Sequence, residues 1–231
     1  MNSLLRFPRP LRRRAGWLRC LSTAASSKVA QADTYCVDLV KKHDFDSFLC
    51  GLLVPKASRA AYFAVKAFNV EIALVKDQTH GNLLAGKIRF QWWRDLLDEI
   101  YKGGDISPAS MIGKQPVAQA LSEHVPRHDL SQRWFLRSLD ARQQDFSVDQ
   151  LETLDDLENY AEQGHSSILY LLLEALGVRE EAADFAASHV GVSAGITTVL
   201  RAFPHHAQQV RGAELSLPRL GRPAHACLAR L

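Results

Sequence analysis

Two acidic side chains one helical turn apart can hold a divalent cation between them, and this sequence comes within one residue of that arrangement. In "FAVKAFNVEIALVKD", residues 63–77, Glu71 stands inside a strongly apolar run. Carboxylates at i and i+4 share one helix face and together bind Mg2+ through their oxygens. Four residues before and after Glu71, however, stand Ala67 and Val75. Asp77 lies six residues on, about 240° around a helix, so it faces away from any ion held at Glu71. Glu71 therefore reads as a polar contact inside a helix bundle or a group turned to water, with Lys66 and Asn69 as its local partners.

The other candidates read similarly. Glu158 and Glu162 form an i, i+4 pair beside Asp155 and Asp156. An acidic helix entrance, which complements the helix dipole, accounts for them better than a metal site does. Asp140, Arg142 and Asp145 suit a salt-bridged helix surface. His205 and His206 follow Pro204 with no acid or cysteine at ligand spacing, which reads as a solvated turn. Trp92 and Trp93 point about 100° apart on a helix, so at least one packs in the core while the other is free for a partner surface. Cysteines 20, 36, 50 and 227 form no C-x-x-C pair and suggest neither a disulfide framework nor a zinc site. No short signature of a metalloprotease, serine hydrolase, nucleotide-binding loop or dinucleotide fold occurs.

The elements that must position these residues are all helical. "DTYCVDLVKK" opens with Asp33 and Thr34 as caps and places Tyr35, Leu39 and His43 on one face. "FDSFLCGLLVP" is a short helix stopped by Pro55. Ser58 is the expected N-cap of a helix over 60–76. "LLAGKIRFQWWRDLLDEIYKG" repeats Ile88, Trp92, Leu96 and Ile100 at i, i+4 and ends at Gly103-Gly104. A loop over 103–116 precedes a helix with Pro116 in its first turn. Ser131 caps the next helix, a single helix then runs from Thr153 to Gly177, and a small-residue-rich helix ends at Pro204. From about Gly212 the periodicity is lost, and residues 212–231 read as an unassigned tail.

The net charge of +3 conceals a division. Residues 1–32 carry six arginines and Lys28 without an acid, leaving 21 basic against 25 acidic residues in the remainder. An Arg- and Ser-rich, acid-free start is the composition of a mitochondrial transit peptide, assigned here to residues 1–32. The basic balance belongs to that extension, which argues against nucleic-acid binding. No apolar run is long enough to span a bilayer, so any membrane association is expected to be peripheral.

The segments "AFNVEIALVKD", "IRFQWWRDLLDEIY", "ENYAEQGHSSILYL" and "GITTVLRAFPHHA", in that order, resemble the squalene/phytoene synthase family over about residues 33–211. The resemblance implies an all-α, isoprenoid-synthase-like helical bundle. Active members condense prenyl diphosphates, using a D-x-x-x-D pair on each of two facing helices to hold the Mg2+ that neutralises the departing diphosphate. It places the first pair at Val70 or Glu71 with Leu74 or Val75, and the second at Ala202 and His206. With Glu71 and Val75 in one and Ala202 and His206 in the other, neither pair is complete. The resemblance thus implies a pseudoenzyme with no catalytic residue, no metal and no cofactor.

Within that family the likeness is to the branch linked to early assembly of respiratory complex I (NADH dehydrogenase). That implies a non-catalytic role in biogenesis of a mitochondrially encoded membrane subunit, on the matrix side of the inner membrane. Complex I subunits or assembly intermediates would be the partners. A prenyl-substrate fold also implies a long apolar cavity able to take a lipid, a prenyl chain or a hydrophobic client segment. Phe68, Trp92, Trp93 and Tyr160 are the cavity or partner-surface candidates. The alternatives are a Mg-dependent prenyl diphosphate transferase working through Glu158 and Glu162, and a lipid-binding module at the inner membrane. Family members continue past the second motif with further helices, of which "ELSLPRLGRPAHACLARL" keeps a faint echo, so the bundle is expected to be incomplete at its C-terminus.

Overall fold

A computed structural model describes residues 15–104, 110–147 and 153–216, with side chains between 28 and 201 of these ranges. The helices are α1 (Ala15–His43), α2 (Phe45–Leu53), α3 (Lys56–Ala73), α4 (Val75–Gln78), α5 (Leu83–Tyr101), α6 (Met111–Lys114), α7 (Pro116–His128), α8 (Gln132–Ser147), α9 (Leu154–Ala161), α10 (Ser167–Leu176) and α11 (Glu181–Ser216). A π-helical turn, Glu162–Ser166, joins α9 to α10. The described residues contain no strand.

The bundle is organised around α3, whose residues Ala61–Val65, Ala67, Phe68 and Val70–Ile72 are all buried. A helix apolar around its whole circumference has to be covered on every side, and α1, α7, α8 and α10 all pack on it. Phe68 meets Trp93 of α5 and Phe135 of α8 edge to face, with ring centres 5.4 and 5.1 Å apart. Such pairs add about 0.5–1.5 kcal/mol beyond their buried area. Trp93, Phe68 and Phe135 are the middle of the core.

Helix ends depart from the sequence reading in instructive ways. α3 begins at Lys56, after Pro55 in an extended conformation, and not behind a Ser58 cap. Arg59 instead closes the junction, donating to the carbonyls of Leu52 (3.0 Å) and Val54 (2.8 Å), groups that the end of α2 leaves without intrahelical partners. α3 stops at Ala73, and α4 follows after a break at Leu74, where one helix over 60–76 was expected. α1 runs uninterrupted through Asp33 and Thr34, so neither is a cap. Asp33 lies 2.9 Å from His124 of α7, and Thr34 donates to the Ala30 carbonyl inside the helix. The transit-peptide expectation falls largely on residues and side chains outside those described, but Ala32 is already part of the core.

Two amphipathic faces are rotated. In α1 the buried stripe is Ala32, Cys36 and Val40, while Tyr35 and His43 are exposed. In α5 the buried residues are Gly86, Phe90, Trp93, Leu96, Leu97 and Ile100, with Trp92 partly buried, so of the expected series Leu96 and Ile100 do face inward while Ile88 is 63% exposed. Small residues, Ala32 and Cys36 in α1 and Gly86 in α5, take part in these inner faces, Gly86 lying against Phe146. Asn82 caps α5 by accepting from Leu84 and Ala85, and Ser110 caps α6 within the expected loop. Pro116 does occupy the first turn of α7. Ser131 precedes α8, but its N–H and hydroxyl donate to Glu174 of α10, at 2.8 and 2.6 Å. α11 passes through Pro204 to Ser216. A proline inside a helix forfeits one N–H bond and costs roughly 3 kcal/mol, which the rest of a long helix can carry. Four residues beyond Gly212 are therefore helical, and 217–231 lie outside the described residues.

The single helix expected over 153–177 is interrupted. Thr153 and Asp156 form a reciprocal capping box on α9, then the π-turn widens the helix before α10 resumes and Gly177 ends it with φ 77°. α11 crosses this turn on two glycines one helical turn apart. A Cβ on Gly191 would come within 2.3 Å of Ser166 Oγ and 2.6 Å of its Cα; one on Gly195 would come within 2.6 Å of Ala161 Cβ. Small residues thus do allow close packing here, as the composition of α11 suggests. Gly191→Ala is expected to lower unfolding free energy by about 1–3 kcal/mol through overpacking, whereas Ser193→Ala on the exposed face leaves it within about 0.5 kcal/mol, as read by urea denaturation.

Candidate functional site

Glu71, from the last turn of α3, is only 5% exposed. Its carboxylate faces the guanidinium of Arg89 from α5 at 3.8 Å, and its charge acts on the Tyr35 hydroxyl of α1. Burial first, and then the negative charge of Glu71, push the Tyr35 phenol upward. Arg89 also lies over the Trp92 ring, 4.6 Å from its centre, which fixes the guanidinium in place. Three helices therefore meet on one acid. Lys66 and Asn69, the partners expected from sequence, are replaced by two residues from other helices.

This geometry tests the first expected metal position. The i+4 residue, Val75, is wholly buried and offers no oxygen, and Asp77 is exposed on α4. The carboxylate of Glu71 is turned to a guanidinium, whose positive charge repels a cation. These residues do not suit Mg2+. The second expected position, Ala202 and His206, falls on α11 where side chains lie outside the described residues. Among the described residues no group of three or more His, Cys, Asp or Glu is placed to hold a metal ion.

The alternative acid pair is also divided. Glu158 is exposed on α9. Glu162, at the start of the π-turn, accepts from Tyr170 and Ser188 at 2.9 Å each and lies 3.4 Å from Arg137. Burial raises its pKa, but hydrogen bonds with Ser166, Ser188 and Tyr170 and the charge of Arg137 outweigh that and hold it below the usual carboxylate range. Both oxygens of Glu162 are engaged within the protein. Asp140 pairs with Arg94, which also donates to Gln143 at 2.6 Å, so the salt-bridged surface reading of that stretch suits the geometry.

The cavity candidates separate by burial. Phe68 and Trp93 are fully buried core residues, so neither lines an open cavity or a partner surface. Trp92 is partly buried beneath Arg89, and Tyr160 is half-buried with its hydroxyl accepting from Arg142 at 2.7 Å. A shallow, open depression of about 540 Å3 runs along α11, lined by His189, Val190, Ser193, Thr197 and Arg201. No described helix is long and apolar enough to cross a membrane. His165, in the π-turn, was not singled out from sequence; burial, then the charges of Arg142 and Lys66, depress its pKa to about 4.

Comparison with known proteins connects this geometry to a lineage. Residues 40–219 match the squalene/phytoene synthase family model. The chain is 42% identical over 192 residues to NADH dehydrogenase (ubiquinone) complex I, assembly factor 6 of Bos taurus, covering 82% of this chain and 55% of that protein. It is 41% identical to the Homo sapiens protein of the same name (81% and 54% covered), and 37% identical to the Drosophila melanogaster homolog (77% and 54%). The chain thus spans about half the length of the curated relatives it matches. A dehydrosqualene synthase crystal structure superposes with a TM-score of 0.65 at 24% identity, over 77% of this chain and 58% of that one. That likeness establishes the helical fold.

Two outcomes follow from the buried charges. Arg89→Ala leaves Glu71 without its cation and is expected to cost about 1–3 kcal/mol, more than Glu71→Gln, because an unpaired buried carboxylate is worse than an amide; chemical denaturation of the two variants checks the order. His165 has a folded-state pKa below its unfolded value, so the unfolded chain takes up the proton first as pH falls. Its contribution is constant above about pH 6.5, declines by roughly 3 kcal/mol in all toward pH 4, and is flat below. Subtracting the stability profile of His165→Gln from that of the parent should isolate this slope.

Proposed function

Because this chain belongs to the squalene/phytoene synthase family yet ties up its buried acid internally, we propose that it acts without catalysis, as an assembly factor for mitochondrial respiratory complex I. It serves an early step, the biogenesis of a mitochondrially encoded membrane subunit, and works from the matrix side of the inner membrane as a peripheral protein. Complex I subunits or assembly intermediates are its partners. The curated relatives' name supports the assembly role, and the acid-free, Arg-rich start of the chain supports import.

The observation that carries the non-catalytic half is the Glu71–Arg89 contact. Departure of a diphosphate requires cations to neutralise the developing charge. Here the first position where acids would hold such ions presents one carboxylate already paired with arginine and, at i+4, a buried valine. No step of prenyl transfer is assigned to these residues. A transferase working through Glu158 and Glu162 is disfavoured by the same reasoning, since Glu162 is saturated by Tyr170, Ser188 and Arg137. Trp92 and Tyr160 remain the candidates for contact with a client segment, a lipid or a prenyl chain.

The decisive experiment is depletion of the protein, followed by native-gel analysis of respiratory complexes and rescue. Re-expression of this chain and of its Glu71→Gln variant should each restore complex I to at least about half of its starting level, because a positional role tolerates a stability loss of about 1–3 kcal/mol. In parallel, the purified chain with farnesyl diphosphate and Mg2+ should release no pyrophosphate above buffer. Rescue by the parent alone, together with Mg2+-dependent release, would replace assembly by catalysis.

A further inference from the structure

Helix α2 turns an apolar stripe to solvent. Phe45, Leu49, Leu52 and Leu53 stand at i, i+4, i+7 and i+8, within roughly 100° of the helix circumference. The first three are about half exposed, and Leu53 is 88% exposed. No polar residue falls inside that arc; Asp46 stands at its edge. The opposite side of α2 is fixed to α3. A Cβ on Gly51, the buried residue of α2, would come within 2.8 Å of the Tyr62 ring and 2.5 Å of the Phe63 ring. The Tyr62 hydroxyl donates to the Ser47 carbonyl at 2.8 Å, and Arg59 holds the carbonyls at the end of the helix. The bundle therefore presents the stripe in a fixed position, and none of the described residues covers it.

Two other exposed apolar groups are less continuous. On α5, Lys87 falls inside the arc spanned by Leu83, Leu84 and Ile88, and on α11 Phe185, Val190 and Leu200 are spread over roughly four turns. The charges around α2 distinguish its partner. Lys41 and Lys42 end α1 just before the stripe, and Lys56 opens α3 just after it. All three are exposed, and none forms an ion pair among the described residues. The Arg59 guanidinium is engaged by carbonyls, with no acid beside it among those residues. The acids nearby are Asp38, Asp44 and Asp46. Asp44 accepts from the Ser47 N–H, and Asp46 lies 3.7 Å from Arg201 of α11. Positive charge is thus in excess at both ends of the stripe. An apolar protein groove would call for the stripe alone. Cations bracketing it match anionic lipid phosphates, set above acyl chains that receive leucine and phenylalanine. Lysine stems can lie along that boundary with their ammonium groups outward. At nine residues, α2 is too short to cross a bilayer and would lie along it.

We propose that α2 docks the chain on an anionic membrane surface, its apolar stripe entering the acyl boundary and Lys41, Lys42 and Lys56 facing lipid phosphates. This rests on the proposed peripheral placement at the membrane and names the surface responsible. The test floats the full chain with phosphatidylcholine vesicles, with and without phosphatidylglycerol, over a range of lipid concentrations. The expected result is saturable flotation that requires phosphatidylglycerol and falls as salt is raised. Leu53→Ser should weaken partitioning by at least about tenfold, and Lys56→Gln by about fivefold. Neither should lower the melting temperature, because both side chains are exposed. Ile88→Ser, which removes an exposed apolar side chain from α5, should leave flotation unchanged. Flotation undiminished in Leu53→Ser, reduced equally in Ile88→Ser, or equal without phosphatidylglycerol overturns this docking surface and leaves peripheral placement standing. No flotation at all overturns both. Self-association without flotation, abolished by Leu53→Ser, would assign the stripe to a second copy and overturn the proposal. None of these outcomes involves complex I, so depletion and rescue test the assembly role separately.

Discussion

A carboxylate can stay inside a helix bundle only if positive charge goes in with it, and the nature of that charge decides what the carboxylate can do. In an enzyme that releases diphosphate, the charge is a metal ion that also contacts substrate. Here it is Arg89, covalently part of α5 and steadied over Trp92. A metal ion leaves oxygen ligands open to a second molecule; a guanidinium paired with Glu71 does not. Glu71 thereby links α3 to α5, and its charge reaches Tyr35 of α1.

That substitution recurs. Arg94 pairs with Asp140 between α5 and α8, Arg137 reaches Glu162 between α8 and the π-turn, and Glu174 accepts from both donors of Ser131 between α10 and the start of α8. Acids from the buried Glu174 to the exposed Asp140 are satisfied by arginines and hydroxyls on neighbouring helices, so polar groups serve helix registry. At the π-turn, Gly191 and Gly195 bring α11 close to Ser166 and Ala161.

Much of the fold was legible from sequence because helical periodicity, prolines and glycines are local signals. The all-helical class, the extent of α5, Pro116 in the first turn of α7 and the Gly177 stop all follow from them. What sequence missed was set by tertiary contact. The inner face of α1 is the small-residue stripe Ala32, Cys36 and Val40 and not Tyr35, Leu39 and His43, and that of α5 turns from Ile88 toward Phe90 and Trp93 while keeping Leu96 and Ile100. The π-turn has no strong sequence signature, and Pro204 lies within a helix long enough to absorb it. At the site, the unpaired state of Glu71 at i+4 was readable from its own segment. Its partners were not, because Arg89 and Tyr35 arrive from 18 residues after it and 36 before it. The one available hint was an arginine three residues before a tryptophan within an amphipathic helix.

The central claim is that arginine occupies the electrostatic place of a metal beside Glu71. Anomalous diffraction from crystals grown with Mn2+ and a non-hydrolysable prenyl diphosphate analogue tests it directly. The account predicts no manganese peak within coordination distance of the Glu71 carboxylate, and the Arg89 guanidinium still facing it. A manganese ion bound to Glu71, with Arg89 swung out to solvent, would contradict it.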